Sequence, residues 1–267
     1  MKLIREVIGD EKYIKFQTPY KLLDISKRIA LKPIESISED EYYKSFIDVV
    51  KYPQFIEMNY WIEMIEYELK CISNCLTYFN YLSKSSNLNF LTPLESTDIC
   101  FLIDSSVNKF FSLLDRVAQF LNCAFSLGLV QDKLGPNGVT LLNINKELLK
   151  NDLERISECV SKLINLEFKD LKRIRNGITH HYHPLSEPIT FVYQKSEGVI
   201  VSVNSVTPLK SSLDDILDLM LSCFHFTDGV LYELFNLMTQ YYYIDYLWID
   251  EHNVTRKIPM NLYIGEE

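Results

Sequence analysis

The 267 residues carry 36 acidic side chains against 27 basic ones, a formal charge of −9, and 47% of them are hydrophobic. That composition is globular and excludes a disordered chain, while the acidic balance excludes a protein that coats nucleic acid non-specifically through many phosphate contacts. With only 8 Gly and 9 Pro, the chain is poor in the tight turns that a sandwich or barrel requires.

A membrane span needs about 20 consecutive apolar residues. The longest stretch free of Asp, Glu, Lys and Arg runs from Val117 to Gln131 and contains Gln119 and Asn122, so it reads as a buried helix. Lys2, Arg5, Glu6, Asp10, Glu11 and Lys12 leave no apolar signal core at the start. The expectation is a cytoplasmic protein that makes no contact with membrane. Its six Cys then read as free core thiols, because the compartment is reducing and no two pairs have zinc-like spacing.

Residues 1–36 mix apolar and charged side chains without a period, and Pro19 and Pro33 interrupt them. They read as an irregular arm with one helix near Tyr20 to Ala30. Ser38 and Glu41 have capping-box spacing and predict a helix to Lys51. Phe55 to Ser83 is apolar on nearly every face, as in a helix buried in a bundle. Thr92, Pro93 and Glu95 start another helix, predicted to run to about Leu129. Gly135 to Gly138 is the strongest turn cluster. Asn145 is expected to cap a helix over Lys146 to Ile164, and Asn165 a helix from Leu166 to about Tyr182, which Pro184 ends. Ile189 to Tyr193 and Gly198 to Val206 are rich in β-branched residues and predict a hairpin. A last helix starts at Ser211 or Ser212 and reaches about Tyr243. The result is an all-α bundle of five or six helices over residues 37–248, with a hairpin at about 189–206 before the last long helix. A polar tail follows over 249–267.

Three of the five His fall together, as His180, His181 and His183, after Lys169, Lys172, Arg173 and Arg175. Four cations against Asp170 make this stretch basic on an acidic chain. At about 100° per residue from Arg175, Leu171, Ile174 and Ile178 form a narrow inward stripe at about 260–320°. Lys172, Arg173, Arg175, Asn176 and His180 share the opposite arc, between about 0° and 160°. Gly177 lowers helix propensity by about 1 kcal/mol relative to Ala and leaves the backbone open to close approach.

An Arg, a short amide and a His on one face suit a phosphodiester. Arg grips non-bridging oxygens bidentately, His exchanges a proton near neutral pH, and Asn orients either partner. If the attacking group is the neighbouring ribose 2′-hydroxyl, the substrate is RNA and no metal or other cofactor is needed. The simpler reading is a solvated helix end, since His near a helix C-terminus is favoured by the dipole. His181 and His183 lack a carboxylate or Cys at ligand spacing and give no metal site. His225 reads as a core His on the apolar face of the last helix, Tyr241 to Tyr243 as core or interface, and Asp214, Asp215 and Asp218 as complements to a helix dipole.

The run Arg175-Asn176-Gly177-Ile178-Thr179-His180 resembles the signature of the HEPN family: Arg, a polar residue, a few more residues and a His. The spacing is Arg-x4-His, or Arg-x5-His counted to His181. The lead-in from Phe168 to Ile174 resembles the amphipathic approach to that motif. The resemblance implies an all-α bundle and a metal-independent endoribonuclease, working as a homodimer in which two motif helices form one cleft. It implies Arg175 as phosphate clamp, His180 as general acid/base and Asn176 as positioning residue. Lys172, Arg173, His181 and His183 would then hold substrate. It further implies RNA as partner, a setting in toxin–antitoxin or other defence systems, and an antitoxin protein as a second partner. Some members have lost activity and bind RNA, a nucleotide or a protein, and the charge of −9 favours that alternative because long-range steering of RNA would be weak.

Overall fold

The computed structural model describes residues 6, 8–22, 24–33, 53–85, 93–130, 137–172, 175, 189–196, 199–206, 209–241, 243–249 and 255–265. The helices are α1 (Asp10–Phe16), α2 (Ile25–Arg28), α3 (Pro53–Ser85), α4 (Pro93–Ala124), α5 (Leu141–Lys150), α6 (Glu154–Leu166) and α7 (Leu209–Tyr241). The strands are β1 (Ile29–Pro33), β2 (Ile189–Ser196), β3 (Val199–Val206), β4 (Tyr243–Ile249) and β5 (Thr255–Ile264). Mostly helical, the chain has the expected all-α architecture with a hairpin before the last long helix. No described helix is long and apolar enough to cross a membrane. The helix expected at Ser38 to Lys51 lies outside the described residues.

Two compact units divide the chain. The first comprises Met1–Tyr20, Lys70–Phe110 and Leu166–Phe226. Here α1 and the residues just after it are fastened to α3 by hydrogen bonds. The Tyr13 hydroxyl donates to Asn74 at 3.0 Å, the Thr18 amide to Thr77 Oγ1 at 3.1 Å, and the Ser73 hydroxyl to the Thr18 carbonyl at 2.6 Å. Phe16 meets the Tyr81 ring edge-on at 5.7 Å. The hairpin is antiparallel with Ile189 opposite Val206 and Ser196 opposite Val199. Glu197 and Gly198, between the strands, lie outside the described residues.

The second unit comprises Lys21–Leu69, Phe111–Asn165 and Thr227–Glu267. Val117, Ala118, Phe120 and Leu121 are buried on α4, as the charge-free stretch predicted. This helix ends at Ala124, short of the expected Leu129. Gln54 Nε2 caps its last carbonyls, those of Cys123 and Ala124, at 2.8 and 3.2 Å. Asn122 exchanges two hydrogen bonds with Leu129, both 3.1 Å, and Gly128 supplies a φ of +72° for the turn between them.

The single helix expected over Lys146 to Ile164 is two. Thr140, not Asn145, caps α5 by accepting from the Asn143 amide at 3.3 Å. The chain breaks at Asp152, whose φ is +58°, a conformation that Asp tolerates better than most residues. Asn145 instead spans the two helices, accepting from Ser157 at 2.6 Å and donating to Ser161 at 3.1 Å. Residues Tyr20 to Ala30 form only the four-residue α2 before the chain turns extended at Ile29. The sequence gives no sign of α1 or of the sheet β1-β5-β4. That sheet pairs Ile29 with Ile264 and Pro33 with Met260, then Tyr243 with Asn261 and Ile249 with Thr255.

Two buried carboxylates fix the arm. Asp228, 3% exposed, accepts from the Lys21 and Leu22 amides at 2.8 and 3.3 Å. Glu66, 9% exposed, accepts from the Asp24 and Ser26 amides at 3.1 and 3.4 Å and from the Ser26 hydroxyl. The Cys residues described are free thiols. Cys159 and Cys223 are buried, whereas Cys71, Cys75 and Cys123 are half-buried. Burial, reinforced by Glu57, pushes the Cys123 thiol up to about 12. Burial and Glu233 push Cys159 up to about 11.

Asp228→Ala strands the buried Leu22 amide and frees the part-buried Lys21 amide; it is expected to cost about 1–3 kcal/mol, read as a lower urea midpoint at unchanged slope. The thiols give a pH dependence. The folded state keeps their protons at pH values where the unfolded chain has released them, so stability is full below about 9 and falls as pH rises toward 11–12. Urea titrations between pH 8 and 10.5 should show this decline, and Cys123→Ala should flatten it.

Candidate functional site

The helix carrying the cationic stretch begins as α6, whose inward positions are Ile156, Cys159, Val160, Leu163 and Leu166, all buried. It does not stop at Asn165, and no cap begins a new helix there. Glu167–Leu171 instead continue as one π-helical turn, closed by the Lys172 amide donating to the Glu167 carbonyl. A π-turn bonds each amide one residue further back than an α-turn, shifting which later residues face inward.

The outcome at this turn agrees with the helical phases read from the sequence. Leu171 is fully buried, whereas Lys169, Lys172 and Arg175 are exposed. Leu171 therefore anchors the segment and the cations face outward. Lys172 and Arg175 are both helical. Of the other residues singled out from the sequence, Arg173, Asn176, His180, His181 and His183 lie outside the described residues. Lys172, at the end of the π-turn, and Arg175 are thus each helical and exposed.

Chemically, exposed cations above a packed leucine can meet a polyanion without loss of core. Arg175 offers a planar fork of donors for phosphate oxygens and Lys172 a mobile point charge. Among the described residues, no group of three or more His, Cys, Asp or Glu is placed to hold a metal ion. Asp215 and Asp218 are exposed on α7.

The sequence reading of His225 is corrected. Its neighbour Phe224 is buried, as are Cys223, Thr227 and Asp228, but His225 itself is exposed. The inward stripe of α7 passes on either side of it. Tyr241, expected as core or interface, is 40% exposed. The π-turn escaped sequence reading because a single widened turn leaves no periodic trace in so few residues.

A family model, HEPN_Cthe2314-like HEPN, matches residues 61–227 of the 267. No curated protein and no solved structure matches the chain.

The burial pattern separates stability from function at this surface. Leu171→Ala should cost about 2–5 kcal/mol, whereas Lys172→Ala and Arg175→Ala should each change stability by less than about 0.5 kcal/mol. Thermal unfolding of the three variants checks both statements.

Proposed function

From the premise that the chain belongs to the HEPN family, we propose that it is a metal-independent endoribonuclease acting as a homodimer in a defence or toxin–antitoxin setting. The observation that carries this reading is the position of Arg175-Asn176-Gly177-Ile178-Thr179-His180 inside the matched segment, with Arg175 and Lys172 each helical and exposed.

In the proposed reaction a ribose 2′-oxygen attacks the adjacent phosphorus while His180 takes its proton as general base. The bond from phosphorus to the 5′-oxygen breaks, and that oxygen receives a proton from the His180 of the second copy. The products are a 2′,3′-cyclic phosphate and a free 5′-hydroxyl. Arg175 neutralises charge developing on the non-bridging oxygens, and Asn176 orients the His or a phosphate oxygen. Lys172, Arg173, His181 and His183 hold the flanking backbone. An antitoxin protein would be met by the acidic remainder of the surface.

A second reading is a non-catalytic dimerisation module that binds RNA, a nucleotide or a protein partner. The net charge of −9 supports it, since such a chain draws RNA weakly from a distance.

Purified protein should cleave RNA in EDTA and leave cyclic-phosphate ends. The double substitution Arg175→Ala and His180→Ala should reduce the rate by at least about 100-fold, the lower range for loss of general acid–base catalysis, without lowering the unfolding midpoint. Full activity in the double variant would reject the catalytic reading. RNA binding without cleavage by the wild-type dimer would select the second one.

A further inference from the structure

The second unit contains a cavity of about 560 Å³, a size typical of sites for small molecules. Its base is apolar: Ile25 is 1% exposed and Phe235 is fully buried. Its rim is polar and accessible, made by Lys21, Tyr232 and Asn236, all exposed. Arg28, Ile264 and Gly265 complete the lining. Among the described residues, two cations line this space and no carboxylate does, on a chain whose net charge is −9.

The walls are set before any ligand arrives. The buried carboxylates of Asp228 and Glu66 hold the backbone of residues 21–26 through hydrogen bonds. The Gly265 amide donates to the Arg28 carbonyl at 2.9 Å, joining the end of β5 to the end of α2. Lys21 Nζ lies 5.5 Å from the centre of the Tyr232 ring, so cation and ring share one side of the mouth. A preformed site avoids the ordering cost that weakens flexible ones.

We propose that this cavity binds a small organic anion bearing a flat ring. Lys21 and Arg28 meet the anionic group, the ring lies against Tyr232 and the apolar base, and Asn236 hydrogen-bonds a polar substituent. A nucleoside monophosphate and an aromatic carboxylate both present that chemistry. The described lining residues fall outside the segment matched to the family, which contains Arg175. The cavity is built by the arm, the last helix and the carboxyl-terminal strand.

Calorimetric titration of the full chain tests this with adenosine monophosphate, benzoate, adenosine and inorganic phosphate. A ring-bearing anion should bind at least about tenfold more tightly than either phosphate or adenosine, because each of those offers only half of the recognised chemistry. Which of the monophosphate and the benzoate binds identifies the source of the ligand. Lys21→Ala and Tyr232→Leu should each weaken that binding at least about tenfold, with the unfolding midpoint of Lys21→Ala unchanged. The Arg175→Ala, His180→Ala double variant should bind as wild type. Absence of binding at millimolar concentrations, equal affinity for phosphate alone, or an unchanged affinity in Lys21→Ala would overturn the proposal. So would loss of binding in the double variant, which would place the anion at the motif instead.

Discussion

Glu66 on α3 and Asp228 on α7 determine where the amino-terminal arm goes. A buried carboxylate is costly unless donors surround it, and here the donors are backbone amides of residues 21–26. One of them, the Ser26 amide, lies in the first turn of α2, where the helix itself offers no acceptor. Carboxylate and backbone thus satisfy one another. With the arm held there, the chain enters β1 at Ile29 in register with Ile264, and the three-stranded sheet follows. One wall of the cavity is the same arm.

The charge of the chain acts at two scales. At a distance, the excess of acids governs, and it weakens the attraction of any polyanion. Within a Debye length, about 8 Å at physiological salt, the local set of side chains governs instead. Lys169, Lys172 and Arg175 are all exposed, and Lys21 and Arg28 line a cavity that no carboxylate among the described residues lines. Net charge therefore limits how the protein meets an anion and leaves open where it does so.

The long helices could be read directly because their apolar pattern persists over some thirty residues, far beyond chance. Pro93 at the first position of α4 and the β-branched run of the hairpin were equally local signals. Errors arose where a distant residue decided the outcome. The end of α4 depends on Gln54, which lies 69 residues from the carbonyl it caps. The break between α5 and α6 depends on Asp152 adopting a positive φ while Asn145 ties the two helices together. His225 stands between two Phe, so local composition suggested an apolar face, but the inward stripe follows positions 223, 224, 227 and 228.

By itself the sequence determined the all-α class, the hairpin, the outward position of Lys172 and Arg175 and the inward position of Leu171. Each follows from a period within one element, which hydrophobic burial enforces without reference to the rest of the chain. Only the tertiary structure decided the π-turn before the motif, the pairing of β1 with β5 and the cavity between the arm and the last helix. Those depend on residues up to about 240 positions apart, Lys21 and Gly265 among them. Hydrogen bonds and buried charges between such residues have no period for a sequence to display.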